Sequence, residues 1–578
     1  MLEVGDELVM GKSLIAFDTD HIKRYVFGTD KLKEIRGASS LLDRLNRIEM
    51  SKLGQDETIQ AKPVYTHGGS GLFEVDTNKV EDFGRMVQKR YSELTHGGAS
   101  ITFAKQEILH NGPGENVWKM PLEDEFTLLH YHLRKEKDSP PDFITLPTHA
   151  FMRQCDACGI EYATGKDLNT RDPGEQKSLY CRSCLGKRDE DIKIKTDIKE
   201  FLKGNKASID SPLWYKVINS LSNDGYDIPD NTERPADFNV FRNFKGEKEY
   251  MGLIYADANG MGKKLEICNI LEDYYGFARN VDKAIYEAVC TAIKTHLKIK
   301  DHAREGDLET DINEHPLFPF DILLLGGDDV VMVTPATVAL DVALTIARKF
   351  HEKTKEQFPE DERKHCTLSV GVVLAPVKYP FGPLLELAED TLRFAKKEGT
   401  HASRPHATEY GETRINFVTI TGNTSPSFQD TYNALCVKEE AGKKIKTGSF
   451  YATLRPYTIE CLESLLKAIR EGHQQGLNRT KLHQLREAVL KKNLTTSVED
   501  GLAVLRNWQD EQRHYVVQKV YGFAGHELYQ SEKDSSLKFP RVTFPWFADG
   551  EDMYSTPLLD LVELYDLVSR EEESNVEV

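Results

Sequence analysis

The stretch Ile322-Leu-Leu-Leu-Gly-Gly-Asp-Asp-Val-Val-Met-Val333 decides the fold. Two apolar runs typical of β-strands flank Gly326, Gly327, Asp328 and Asp329, which are residues that favour a tight turn. The glycines permit a sharp reversal and let a phosphate approach the backbone closely. Two adjacent carboxylates repel each other unless a cation lies beside them. Taken alone, the four residues are also compatible with a plain polar hairpin turn, so their context has to decide.

The neighbouring segments supply that context. Leu253-Ile-Tyr-Ala-Asp257 precedes the hairpin, Thr367-Leu-Ser-Val-Gly-Val-Val-Leu374 follows it, and helical patterns lie between them. In a β-α-α-β-β-α-β palm the first strand lies beside the hairpin, so Asp257 would reach the same cation as Asp328 and Asp329. Carboxylates suit Mg²⁺ or Mn²⁺, and such a metal pair activates a hydroxyl and neutralises a leaving pyrophosphate. The pattern predicts attack of a ribose hydroxyl on the α-phosphate of a nucleoside triphosphate.

Further residues are candidates for binding the nucleotide, together with Gly326 and Gly327. Asn259, Gly260 and Gly262 form a small-residue loop that opens a helix and suits phosphate. Lys396 falls near the end of the last palm helix, where it could reach the triphosphate or be a solvated lysine favoured by the helix dipole. Ser369 could contact the base or ribose, or be an ordinary strand serine.

The same arrangement occurs earlier in the chain. Leu14-Ile-Ala-Phe-Asp18-Thr-Asp20, a helical stretch, the turn Gly68-Gly69-Ser70-Gly71 and the run Ser100-Ile-Thr-Phe103 follow one another in the same order. The sequence therefore predicts an α+β protein with two ferredoxin-like palm domains that meet face to face.

The first copy lacks the acidic pair of the second. It keeps Gly68 and Gly69, but Ser70 and Gly71 stand where the second copy has two aspartates. Asp18 and Asp20 alone are too few for a two-metal site, so we expect no phosphoryl transfer in this palm. Gly68, Gly69, Ser70 and Arg36 are candidates for holding the acceptor nucleotide. An exposed helix charge is the alternative for Arg36.

Four of the nine cysteines are grouped as two pairs. Thiolates three residues apart turn inward on a tight knuckle, and two knuckles complete a tetrahedral zinc shell. Gly159 and Gly186 lie where such turns need small residues. A filled shell has no open position, which indicates a structural zinc; a redox pair or unligated thiols are the alternatives. The predicted ligands are Cys155, Cys158, Cys181 and Cys184. The predicted ordinary buried thiols are Cys268, Cys290, Cys366, Cys436 and Cys461.

Length and composition set the domain organisation. The 578 residues suggest about four domains. The net charge of −18 argues against a surface coated by nucleic acid, although a local basic groove is compatible with it. We see neither an apolar run near the ~20 residues of a membrane span nor a secretory signal, and expect a cytoplasmic protein. The predicted domains are a first palm (1–110), a helical, zinc-binding insert (111–249), a catalytic palm (250–410) and a helical C-terminal domain (411–578).

These features resemble one family, the large polymerase-cyclase subunit of type III CRISPR effector complexes, in particular its type III-B form. The resemblance covers about residues 13 to 470. It is carried by the two palms around a four-cysteine module, the opening FDTDHIKRYVF, the IRGASSLL helix, GGDD, the strand TLSVGVVLAP, the helix AEDTLRFAKK, and RPYT at residues 455–458.

The resemblance implies an ATP-using enzyme, switched on by target RNA, that joins AMP units into cyclic oligoadenylate messengers. It implies that Asp257, Asp328 and Asp329 hold the metal ions. It also implies other complex subunits, a guide RNA and a target RNA as partners. Some relatives are thought to pass AMP to another acceptor, such as S-adenosylmethionine, and the sequence is compatible with that.

Many members of this family begin with an HD nuclease domain, which needs His-Asp pairs. No His-Asp dipeptide occurs in this sequence, so we expect no cleavage of single-stranded DNA. Two other functions stay open at this point. One is a stand-alone nucleotide cyclase of the diguanylate or adenylate type, and the other is a non-catalytic, RNA-binding scaffold subunit.

Overall fold

We describe the protein from a computed structural model. The described residues are 11–108, 116–138, 151–169, 175–244, 249–299, 316–400, 410–422, 427–438, 449–491, 494–516, 542–543, 545–548 and 553–570. Cys436, predicted to be a buried thiol, lies in a segment whose side chains are outside this description.

The first palm is a four-stranded antiparallel sheet in the order β2-β3-β1-β4. Its elements follow the predicted β-α-α-β-β-α-β order, and a π-helical turn at Leu45–Glu49 joins two of its helices. The chain reverses from β2 to β3 through the glycine turn. The elements are β1 (Lys12–Thr19), α1 (Ile22–Phe27), α2 (Leu32–Arg44), α3 (Met50–Gly54), β2 (Lys62–His67), β3 (Ser70–Asp76), α4 (Val80–Thr95) and β4 (Ile101–Glu107).

Between the palms, the insert covers one side of the first sheet. Helix α5 packs on β4 and β1, and helix α6 packs on α2 so closely that a Cβ atom added to Gly37 would lie 1.7 Å from the carbonyl oxygen of Lys187. The four-cysteine module precedes α6. The insert helices are α5 (Glu123–Asp138), α6 (Arg182–Leu202) and α7 (Pro212–Asn223).

The second palm repeats the same order of elements and adds a helix and a strand. Its sheet has the order β6-β7-β5-β8-β9, and β9 pairs with β8 in parallel. The sheet therefore extends past residue 410, where we placed the domain boundary. The elements are β5 (Tyr250–Ala258), α8 (Met261–Leu265), α9 (Leu271–His296), β6 (Asp321–Gly326), β7 (Asp329–Pro335), α10 (Ala336–Gln357), β8 (Leu368–Pro376), α11 (Phe381–Gly399) and β9 (Ile415–Thr419).

The C-terminal region is helical, as expected, and also contains a small sheet in the order β10-β11-β14-β13-β12. Its strands are too short for a periodicity of two to stand out in the sequence. The strands are β10 (Cys436–Lys438), β11 (Ser449–Tyr451), β12 (Val542–Thr543), β13 (Trp546–Ala548) and β14 (Met553–Ser555). The helices are α12 (Phe428–Ala434), α13 (Ile459–Gln474), α14 (Arg479–Val489), α15 (Leu494–Arg506), α16 (Asp510–Tyr515) and α17 (Leu558–Leu564).

A buried polar cluster ties the last helix to the second palm. The Arg455 guanidinium donates to Asp560 Oδ1 (2.8 Å), to Glu563 Oε2 (2.6 Å) and to the carbonyl oxygen of Phe417 (2.8 Å). The Tyr457 hydroxyl donates to the other oxygen of Asp560 at 2.5 Å. Since Phe417 lies on β9, the carboxylates of α17 hold the edge of the catalytic sheet in place.

The two palms meet face to face, as predicted. The rings of Phe27 and Phe381 stack with their centroids 6.3 Å apart, and Asp30 Oδ1 accepts a hydrogen bond from the backbone N–H of Gly382 at 2.7 Å. Their apolar residues form one continuous cluster that includes Phe17 of the first sheet and Leu253 of the second. Among the described helices, none combines the length and apolar character that a membrane span requires.

Candidate active site

Three aspartates gather at one edge of the second sheet. Asp257 lies near the end of β5, where it is in register with Asp329 of β7 on one side and Ser369 of β8 on the other. Asp328 lies in the turn just before β7, where the charge of Asp257 acts on it. The turn depends on Gly327, whose φ of +65° is strained for residues with a Cβ atom.

The three carboxyl groups at this edge have little positive charge near them. Burial, followed by the charge of Asp257, raises the pKa of Asp328 to about 7. Burial, then Asp257 and Asp328, raises the pKa of Asp329 well above its usual range, while Lys396 and Lys23 lower it. A cation bound among these groups would remove their mutual repulsion.

Lys396 reaches this edge from α11. Its ammonium contacts the Asp257 carboxylate and donates to the carbonyl oxygen of Ala258 at 3.1 Å. We predicted that Lys396 could reach the triphosphate. It lies beside Asp257, and its contact with a nucleotide stays a prediction.

The donor set fits hard divalent cations. The three aspartates offer anionic oxygen ligands, which Mg²⁺ and Mn²⁺ prefer. Within the described ranges, the four cysteines are the group whose donor atoms all lie within 4.8 Å of one another. The carboxylate oxygens of the three aspartates do not all lie within that distance of one another, and the Lys396 ammonium contacts Asp257.

Asn259 and Ser369 support this edge from within. Ser369 is fully buried and its hydroxyl donates to Asn259 Oδ1 at 2.8 Å. The Asn259 amide donates to Thr367 Oγ1 (3.0 Å) and to the carbonyl oxygen of Glu412 (3.1 Å). Because these polar groups are paired inside the protein, the geometry favours a structural role over the nucleotide contacts that we predicted for both residues.

The loop after Asp257 contains the two predicted glycines. Gly260 has a φ of +65°, and a Cβ atom added there would lie 2.9 Å from the carbonyl oxygen of Tyr410. Gly262 has nothing within 4 Å of such an atom and borders open space. Gly260 is therefore required by the turn, and Gly262 leaves room for a ligand.

In the first palm, the turn is displaced by one residue relative to our sequence alignment. Ser70 is in register with Asp18 and with His67, just as Asp329 is with Asp257 and Gly326. Ser70 is thus the counterpart of Asp329, and Gly69 that of Asp328. Our assignment of Ser70 and Gly71 to these positions was wrong, because Gly68 and Gly69 together form this reversal (φ of +65° and +81°).

A lysine neutralises the acidic pair of the first palm. Lys137 Nζ lies 2.5 Å from Asp18 and 3.8 Å from Asp20. Asp20 also accepts hydrogen bonds from the hydroxyls of Ser100 (2.8 Å) and Thr102 (2.9 Å). The aspartates of the first palm are therefore paired with protein side chains in place of a metal ion.

Arg36, predicted to contact the acceptor nucleotide, is instead a buried ion-pair residue. Its Nε donates to Asp321 Oδ2 at 2.5 Å, and Arg234 Nη2 donates to the other oxygen of Asp321 at 2.7 Å. The Arg36 side chain is fully buried. It connects α2 to the start of β6 and does not face the glycine turns.

The turns of the two palms touch. A Cβ atom added to Gly327 would lie 3.3 Å from the Cα atom of Gly68. Beside them, Arg47 of the first palm donates to Asp282 of α9 at 2.7 and 3.1 Å, and Lys216 of the insert donates to Asp282 at 3.1 Å. Sequence reasoning missed these three charged residues because each resembles an ordinary surface charge in a helix.

The four predicted zinc ligands come together. Their sulfur atoms all lie within 4.8 Å of one another, which fits a tetrahedral zinc shell. Gly159, with a φ of +64°, makes the first knuckle by donating to the carbonyl oxygen of Cys155 at 2.9 Å. Gly186 was wrongly assigned to the second knuckle: it lies inside α6, where an added Cβ atom would come within 2.8 Å of His96.

The scattered cysteines are ordinary buried thiols where the side chains are described. Burial raises the pKa of Cys268 and Cys290 to about 11 and that of Cys366 to about 12. Cys461 is buried as well. Cys268, Cys290 and Cys366 are therefore held in their unreactive, protonated form at neutral pH.

Comparison with known proteins finds a match for the second palm. Residues 250–403 match the protein-family model for the second palm domain of Cas10/Cmr2. No curated protein sequence matches the chain with significance.

Several solved structures are similar to this chain. A Csm1-Csm4 cassette in complex with pppApA is 13% identical with a TM-score of 0.50, and the match covers 89% of this chain and 69% of that one. A Csm1-Csm4 subcomplex of the type III-A CRISPR-Csm interference complex is 13% identical with a TM-score of 0.40, over 70% of this chain and 54% of that one. The apo Csm1-Csm4 cassette is 13% identical with a TM-score of 0.43, and the match covers 81% of this chain and 63% of that one. This chain thus spans less than two thirds of some of the chains that it matches. Residues 250–403 therefore belong to the second-palm domain family of Cas10/Cmr2.

Proposed function

We propose that this chain is the nucleotidyltransferase subunit of a type III CRISPR effector complex. In this proposal, target RNA activates it to convert ATP into cyclic oligoadenylate or a related AMP-containing messenger. The observation that carries the proposal is the meeting of Asp257, Asp328 and Asp329 at one sheet edge, directly opposite the glycine turn of a second palm.

The three aspartates would hold Mg²⁺ or Mn²⁺. When bound, these ions lower the pKa of the attacking ribose hydroxyl and neutralise the leaving pyrophosphate. The chain itself orients the substrate. Gly327 lets a phosphate approach the backbone, and Lys396 exchanges its contact with Asp257 for one with the triphosphate. The buried pair Asn259 and Ser369 fixes the end of β5, and with it the position of Asp257.

The first palm would hold the acceptor nucleotide. Gly68, Gly69 and Ser70 lie against Gly327, so a nucleotide beside them would face one bound at the catalytic edge. Lys137 already neutralises Asp18 and Asp20, which supports a palm that binds a nucleotide without metal ions of its own.

The comparisons support the proposed partners. The solved Csm1 chains share the fold of this chain and are bound to Csm4, and one such cassette holds pppApA. By analogy we propose that this chain assembles with other subunits of a type III complex and with guide and target RNA. Its own zinc ion would be structural, since four thiolates leave no open coordination position.

The test is conversion of labelled ATP by the purified chain and by its assembled complex, with Mg²⁺ and with or without target RNA, followed by mass spectrometry of the product. We expect an AMP-containing oligomer that depends on target RNA. The variant D328A/D329A should lose more than about a hundredfold in turnover while it folds and assembles normally. Dimerisation of GTP without RNA would favour a stand-alone cyclase, and no turnover under any condition would favour a scaffold.

A further inference from the structure

Helix α1 of the first palm lies along helix α11 of the second, next to the catalytic edge. Lys23 on α1 forms an ion pair with Glu389 on α11, with 2.6 Å between Nζ and Oε1. Glu389 also accepts from Arg393 at 3.1 Å, and Lys396 follows two helical turns after Glu389 on the same face. Lys23 thus belongs to a row of charges that ends at Asp257.

Lys23 also lies over the strand that carries Asp257. Its ammonium is 5.6 Å from the centre of the Tyr255 ring, and Tyr255 precedes Asp257 by two residues on β5, so both side chains point to the same face of the sheet. The Lys23 side chain is 58% exposed, so a ligand can reach it.

We propose that Lys23 is a substrate-contacting residue, which leaves Glu389 and donates to the β- and γ-phosphates of a triphosphate bound at the catalytic edge. This inference rests on the proposed function and adds to it a cation supplied by the other palm. The exchange is favourable because an exposed ion pair contributes little, whereas a triphosphate offers several anionic oxygens that lysine binds as a point charge.

The arrangement explains why the two palms are packed as they are. Lys396 approaches the triphosphate position from the second palm, and Lys23 approaches it from the first. The positive charge around the substrate is complete only while α1 is docked on α11.

Binding of a non-hydrolysable ATP analogue with Mg²⁺, measured by calorimetry on the full chain, tests this inference. We expect K23M to bind the analogue about tenfold more weakly, as for the loss of one charge-assisted hydrogen bond, and to bind AMP as the wild type does. We expect E389Q, which releases Lys23 but keeps its charge, to bind the analogue as tightly or more tightly. K105M is the matched control, since Lys105 forms a similarly exposed pair with Glu81 on the first palm.

The two roles of the ion pair predict different results. If K23M and E389Q weaken binding of the analogue equally, or if neither changes it, the pair only clamps α1 to α11 and the inference is wrong. If the wild type does not bind the analogue at all, the proposed function fails first.

Discussion

At the scale of single residues, Asp328 and Asp329 lie in electrostatically unfavourable positions in the second palm. Both are partly buried beside Asp257, and the pKa values of both are raised by burial and by neighbouring carboxylates. A side chain selected for stability alone would not be acidic there, since each negative charge disfavours the next. This cost is typical of a site arranged for a ligand that is absent from the free chain.

The raised pKa of Asp328 predicts how the stability of the folded chain depends on pH. The pKa of Asp328 is about 7 in the folded chain and ~3.9 in an unfolded one, so between these values the folded state binds more protons. Stability without Mg²⁺ should therefore fall as pH rises from about 4 to about 7, by an upper bound on the order of 4 kcal/mol from this group. Urea unfolding at pH 5 and pH 8 measures it.

The variant D328N supplies the control. It should lose less stability than the wild type between pH 5 and pH 8, because the amide does not titrate. Added Mg²⁺ should restore stability to the wild type at pH 8 more than at pH 5. An equal pH dependence for wild type and D328N would contradict the assignment of the cost to Asp328.

At the scale of elements, the contact between α2 and α6 depends on one missing side chain. Gly37 lies where an added Cβ atom would be 1.7 Å from a carbonyl oxygen of α6, whereas Gly276 of α9 has nothing within 4 Å. We expect G37A to cost about 3 kcal/mol or more, since the two helices would have to separate. We expect G276A to stabilise the chain by up to about 1 kcal/mol. Chemical denaturation of both variants measures the difference, and similar values for the two would show that the helices are not in close contact.

The cysteine module gives a second prediction at this scale. Cys181 caps α6, the helix that packs on the first palm, so loss of the metal would loosen that helix from its first residue. The variant C155S/C158S should lose its bound zinc, measured by elemental analysis, together with several kcal/mol of stability. C461A, which removes a buried thiol outside the module, should keep the zinc. A folded wild-type chain without zinc would overturn the prediction.

At the scale of the whole molecule, one buried carboxylate joins three parts of the chain. Asp321 of the second palm accepts from Arg36 of the first palm and from Arg234 of the insert. We expect D321N to cost about 3–5 kcal/mol, because two buried guanidinium groups would lose their counter-charge. D390N, which removes an exposed partner of Arg393, should cost less than about 1 kcal/mol. Thermal unfolding compares them, and equal small losses would mean that Asp321 does not hold the palms together.

The features that the sequence could predict are those encoded locally. Apolar runs around a glycine turn specify a hairpin, and paired cysteines specify a knuckle, so the duplicated palm and the cysteine cluster were both predicted correctly. The pairs that join distant segments could not be predicted in this way. Arg36 and Asp321 are 285 positions apart, and Lys23 and Glu389 are 366 apart. A charge on an amphipathic helix has the same local pattern whether it is exposed or faces another domain.

The turn of the first palm shows a second limit. The letters Gly-Gly-Ser-Gly align with Gly-Gly-Asp-Asp, yet the two reversals use different residue pairs. Which pair forms a turn depends on the backbone angles that the flanking strands impose, and glycine accepts many of them. The residue types therefore predicted that a turn is present, but they did not predict which two residues form it.

The cluster around Arg455 has a consequence for how the protein is made. Arg455 and Tyr457 lie beside the catalytic sheet, but the carboxylate that satisfies both belongs to residue 560. Until residue 560 has left the ribosome, the Arg455 guanidinium beside the second palm lacks this counter-charge. The second palm is then not fully anchored. We therefore expect a product that ends before residue 560 to be less stable than the full chain and to be degraded more readily by cellular proteases.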